Sequence, residues 1–124
     1  MAELGLEIDS QLRAKKFIAE ILETQKVYYL KQGKYAIESE SNNYEDEEGN
    51  PLSIIPFWSK TYLPYARKWH EGSAIQELPI ESFIKYWLKG MNKDGLIVGL
   101  NWDQNGIGYE CKPLELLENL EGIL

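Results

Sequence analysis

Residues 54–103 read IIPFWSKTYLPYARKWHEGSAIQELPIESFIKYWLKGMNKDGLIVGLNWD, and the architecture is decided within this block. From Leu52 to Phe57 the chain is almost wholly apolar, as a strand must be when both its faces are covered. Pro56 has no N–H to donate, so pairing should loosen there. Thr61 is placed to cap a helix with Pro64 in its first turn, where a missing N–H is harmless. That helix should end near His70, with Gly72 as its stop. Ala74–Leu78 reads as a short strand. Ile80, Phe83, Ile84, Trp87, Leu88 and Met91 then recur at helical spacing, the cleanest stripe in the chain. Lys89 and Lys93 stand near the negative end of that helix, and Asp94-Gly95 terminates it. Leu96–Leu100 is a second continuous apolar run and another central strand.

Working outward, the N-terminal side opens with a tail over residues 1–8, and Asp9 or Ser10 caps a helix to about Thr24. Ala14, Phe17, Ile18 and Ile21 form its apolar stripe, while Lys16, Glu20 and Glu23 face water. Val27–Leu30 and Tyr35–Ile37 are strand-like around a turn at Gln32-Gly33. Residues 41–50 are polar and acidic and read as a loop that nothing anchors, so shortening it should leave the fold intact. On the C-terminal side, Asn105-Gly106 signals a two-residue hairpin into Ile107–Cys111. Pro113 opens a last helix docking through Leu114, Leu117 and Leu120 or Leu116. The expected fold is therefore one α+β domain over 1–124, a mixed sheet of about six short strands with about four helices packed on it.

Composition narrows the function classes. The 124 residues suffice to bury about 65% of the unfolded surface in one core. Thirteen basic against twenty acidic residues give a net charge of −7, which argues against nucleic-acid and anionic-membrane binding and permits a basic partner. The single Cys excludes an internal disulfide and a multi-Cys zinc site. MAELGLEIDS is unlike a secretory signal, and no apolar run approaches the roughly 20 residues that cross a bilayer, so a cytoplasmic protein is expected.

With these residues in view, the chain resembles small bacterial proteins grouped as domain of unknown function family 2750. The matching segments are Ile55-Pro56-Phe57-Trp58, Ala66 through Gly72, Leu78-Pro79-Ile80 with Phe83 and Trp87, and Asp94 through Gly99. The likeness covers roughly residues 25–121, and its motifs are short and structural. A departure is the acidic insert around Tyr44–Glu48, where the family usually has a tight turn. More distantly, the strand–helix–strand–helix–strand order ending in Asn101 is similar to the N-terminal domain of SseB-type proteins. Neither resemblance implies a reaction or a cofactor.

Motifs for catalysis are missing. His70 and Cys111, the only residues of their kinds, lie forty-one positions apart, so no zinc-ligand spacing exists. Asn43, Glu45 and Glu47 alternate like calcium ligands, but Ile54 holds the position where an EF-hand loop needs Glu, and a solvated charge run is favoured. Alternation turns Cys111 to the side of Ile107 and Tyr109, as a small buried hydrophobe. His70 reads as a helix cap or partial core residue rather than a base. No catalytic residue, metal site or cofactor is assigned.

Two surface signals remain. Tyr62, Tyr65 and Trp69 fall on one helical face beside Trp58. If Leu63 and Ala66 take the core, these aromatics are partly exposed and suited to binding, although for Trp58 and Trp69, each taken alone, completing the core is the favoured reading. Glu45, Asp46, Glu47 and Glu48 form an acidic tip. Together they suggest a non-enzymatic, cytosolic protein-interaction module, such as a bacterial accessory or immunity-type protein that binds a basic partner. The alternative is a small enzyme or ligand-binding protein with a site near Trp58, His70 and Asn101.

Overall fold

Among the described residues, seven strands form one mixed sheet with four helices packed on it. The structure, a computed structural model, describes the backbone of residues 2–123 and the side chains of residues 9–122. Helix α1 (Ala2–Thr24) leads into β1 (Lys26–Gln32), β2 (Tyr35–Ala36), β3 (Ser39–Glu45) and β4 (Pro51–Trp58). A 3-10 turn (Lys60–Tyr62) then enters α2 (Leu63–Trp69), followed by β5 (Ala74–Pro79) and α3 (80–93). Strands β6 (Ile97–Leu100) and β7 (Tyr109–Cys111) and helix α4 (Pro113–Ile123) complete the chain. The α+β class is as expected, with one strand more than the six read from the sequence.

Strands β4 and β6, the two continuous apolar runs, are parallel neighbours at the centre, with Ile54 opposite Ile97 and Phe57 opposite Leu100. All other pairings are antiparallel. Strand β1 is paired along its length with β5, and on its other side with β4 and then β2. Pro56 sits within β4 and still faces Gly99 of β6, so the ladder passes it.

Each face of the sheet carries its own apolar cluster. On the first, Val27, Tyr29, Ile55, Phe57, Val98 and Leu100 lie under α1, α3 and α4. One π turn (Phe83–Trp87) within α3 keeps Phe83 and Leu88 both fully buried and sets Trp87 against Tyr29, with ring centroids 4.6 Å apart. On the second face, Leu30, Ile54, Trp58 and Ile97 lie under Ala66 of α2 and the Trp102 indole. Ile37, Tyr44, Leu52, Tyr62, Leu63, Trp69 and Ile75 edge this cluster half-buried, so its cover is thinner.

Four local expectations need correction. Helix α1 begins at Ala2, which makes Asp9 and Ser10 interior residues; of the tail expected over 1–8, Met1 and the side chains of 2–8 lie outside the described residues. Thr61 does not cap α2; its amide and hydroxyl instead donate to the Glu20 carboxylate on α1. The connection from β6 to β7 spans residues 101–108 rather than two, because Trp102 folds back over the sheet between Gly99 and Gly108.

The fourth correction concerns residues 41–50. Most of the expected loop is strand: Glu40 pairs with Ser53 and Glu45 with Pro51, and 41–44 bulge out between them. The bulge is anchored by a buried polar contact that hydrophobic patterning cannot register. Ser41 is buried, and its hydroxyl donates to Glu110 Oε1 at 2.5 Å. The amides of Asn42 and Asn43 donate to the same carboxylate. Only 46–50 form a turn.

Candidate functional site

The aromatic segment divides into two parts with different roles. Trp58 is fully buried and its Nε1 donates to the Trp102 carbonyl at 2.9 Å, so it offers no surface to a partner. The expectation that Trp58 binds one is corrected: the residue closes β4 from within the core. Trp69 is half-buried and interlocks with both indoles, 5.9 Å from Trp58 and 5.5 Å from Trp102. A Cβ on Gly99, Gly108 or Gly106 would lie 2.5–2.6 Å from one of these rings, so the glycines are what admit the tryptophans. That leaves Tyr62 and Tyr65, half-buried and paired at 5.9 Å, as the outward part of the segment.

The acidic tip is exposed at all four positions, but they are not equivalent. Asp46 Oδ1 accepts the amides of Glu48 and Asn50 at 2.9 Å, which shapes the turn. The Asn50 amide first, with that of Glu48, holds the Asp46 carboxyl below its ordinary value. Glu45, Glu47 and Glu48 are free to face a partner.

Trp58, His70 and Asn101 line no common cavity among those described, so the alternative site is not assembled there. Asn101 is fully buried with φ +47 at the carboxyl end of β6. Its Oδ1 accepts the Ser59 amide, its Nδ2 donates to the Arg13 carbonyl, and its own carbonyl accepts Arg13 Nε at 2.8 Å. Arg13 is itself buried, donates to the Ile107 carbonyl and pairs with Asp9. This network fills the end of the parallel strand pair, where open α/β sheets often bind ligands. His70, at the end of α2, lines an open cleft with Leu30, Arg67 and Ile75; its Nδ1 is buried and has no hydrogen-bond partner among the described residues.

Another cleft lies where sequence patterning carries no signal. Between α1 and α4, Ala14, Ile18, Leu100, Cys111 and Leu116 floor a slot of about 270 Å³ with a polar rim. Cys111 is buried as expected; burial, and then the nearby Glu115 carboxylate, push its thiol up to about 12. At physiological pH it is an apolar wall and a poor nucleophile. A second cleft of about 330 Å³ reaches Glu110 and shares Gln11 and Tyr109 with the first. The slot brings together residues about a hundred positions apart, and its apolar members count in the sequence simply as core.

Among the described residues, no group of three or more His, Cys, Asp or Glu is placed to hold a metal ion, and no helix is long and apolar enough to cross a membrane. No curated protein and no solved structure matches the chain. One family profile does, over residues 14–120, so the match takes in the α1 stripe as well as the central block. By that match the chain belongs to the family described as protein of unknown function (DUF2750).

Proposed function

We propose that this protein is a non-enzymatic, cytosolic protein-interaction module, of the bacterial accessory or immunity type, whose β3–β4 hairpin receives a basic partner. One observation carries the reading. Residues 35–59 contain six acidic residues and no Lys, Arg or His, and all six acids are exposed. This run accounts for most of the net charge and projects it from a strand and hairpin that Glu110 ties down. Such a fixed acidic edge steers a basic protein and disfavours an acidic one. Tyr62 and Tyr65, beyond the other end of β4, supply apolar contact with a polar tip. The likeness to SseB-type domains rests on element order and on Asn101, here a buried junction residue, and brings no activity with it.

Affinity capture from the native host tests the reading. Wild-type protein should retain a basic protein at low salt and lose it as salt screens the acids. Glu45→Gln with Glu47→Gln and Glu48→Gln, leaving the turn-forming Asp46 in place, should sharply reduce retention. Equal recovery by wild type and triple variant would refute the proposal.

A further inference from the structure

We propose that the adjoining clefts around β7 together bind a small amphipathic cation, an alkylammonium-type molecule whose charged head meets Glu110 and whose hydrocarbon body lies in the slot between α1 and α4. The Glu110 carboxylate is only 6% exposed, yet among the described residues no ion pair includes it. A buried charge is costly unless paired or fully hydrogen-bonded, and its protein partners here are all neutral: one hydroxyl and two backbone amides. Those bonds fall unevenly. Oε1 accepts Ser41 Oγ at 2.5 Å and the amides of Asn42 and Asn43 at 3.2 and 3.3 Å, whereas Oε2 accepts one bond, from Asn42 at 3.0 Å. A carboxylate oxygen has two lone pairs, so Oε2 can take a further donor.

Glu110 also borders open space. The cleft it lines runs past Ser10 and Ile107 to Gln11 and Tyr109, which the apolar slot shares. The two spaces thus adjoin at Gln11 and Tyr109, where β7 begins, and among the described residues β7 is an edge strand paired only with β6. One end offers an anion and the other a floor of Ala14, Leu100, Cys111 and Leu116, the pairing of apolar lining and few polar groups typical of small-molecule sites. Glu115 adds a second negative charge at the slot's rim and Lys15 an exposed positive one. An anionic amphiphile would set its head against Glu110, and a neutral one would leave the charge without a counterion. Asn43 lines both this cleft and the pocket beside Glu45, so the acidic hairpin stands at its mouth and enriches cations there.

The test is a titration of the whole protein with n-hexylammonium, n-hexanol and n-hexanoate, read by amide chemical shifts. Hexylammonium should give saturable shifts at Gln11, Tyr109, Glu110, Cys111 and Leu116, with affinity at least about tenfold above the other two, one decade in Kd. Glu110→Gln should erase that preference. Because Glu110 also holds the bulge, a second variant guards the test: Ser10→Lys places a tethered ammonium in the cleft that Glu110 lines, at a residue that makes none of the Glu110 hydrogen bonds, and should weaken hexylammonium about tenfold. Equal affinity for hexanol, shifts confined to Glu45–Glu48, or binding unchanged in Ser10→Lys would each overturn the proposal.

Discussion

On one face of the sheet, Ile55, Phe57, Val98 and Leu100 lie beneath three helices; on the other, Leu30, Ile54 and Ile97 lie beneath a seven-residue helix, a bulged strand and the Trp102 indole. The first face is held by area: many apolar side chains, each interchangeable in kind if not in shape. The second is held by individual fits, in which indoles are admitted by glycines and a carboxylate grips a bulge. The difference has a functional consequence. The thickly covered face has little to show a partner except at its rim, where the α1–α4 slot opens. The thinly covered face carries the acidic hairpin and the tyrosine pair at its margins.

The comparison breaks first if the two faces respond alike to truncation. Phe83→Ala, at a fully buried ring that touches Phe17 and Phe57, should cost about 3–5 kcal/mol in urea unfolding. Gly108→Ala should cost about 1–3 kcal/mol, since the new methyl group meets Trp102 at 2.5 Å. Combining it with Trp102→Leu should be less than additive, because the second change removes the obstacle. Full additivity would show that the indole and the glycine are not fitted to each other.

Glu110→Gln should cost about 1–3 kcal/mol, because an amide cannot accept every donor the carboxylate serves. Hydrogen exchange should quicken at Asn42, Asn43 and Tyr44 while Phe57 and Leu100 keep their protection. Deleting residues 41–44 should cost as much, whereas a bulge that can be removed without loss would mean the acidic strand is only draped on the sheet. A smaller effect sharpens the other rim. With its thiol pushed up to about 12, Cys111 should react with a thiol reagent at neutral pH only as fast as the cleft opens or the protein unfolds. The sign follows from the raised value: above the ordinary 9.0 an unfolded chain ionises this thiol and the folded one does not, so its contribution to stability is lost as pH rises towards 12. Rapid labelling at neutral pH would show the slot to be wet.

Periodicity made most of the first face legible. The stripes of α1 and α3 and the two apolar runs became the elements expected, because burial against a broad surface repeats at helical or strand spacing. The second face was legible only in part, since its contacts do not repeat. Ser41 and Glu110 are sixty-nine positions apart and polar, so each looked like surface. Arg13 sat among charged neighbours with nothing to mark its buried bonds to Asn101 and Ile107. The tryptophans were seen as aromatic, but which of them faced inward depended on the glycines at 99, 106 and 108. The slot escaped for the opposite reason: every residue on its floor already had an explanation as core.

Stability should register the acids least: the triple Gln variant at positions 45, 47 and 48 should stay within about 0.5 kcal/mol per site, while Tyr62→Ala with Tyr65→Ala, which truncates two half-buried rings, should cost about 1–2 kcal/mol with the fold retained. Their effect belongs to binding kinetics, which test the proposed interaction most directly. With the captured partner in hand, rates measured across a salt series should separate the two surfaces. Removing the three acids should lower the association rate and flatten its salt dependence, while removing the two tyrosines should raise the dissociation rate with association little changed. Association and dissociation rates that both variants leave at the wild-type values would contradict the account and place the binding surface elsewhere.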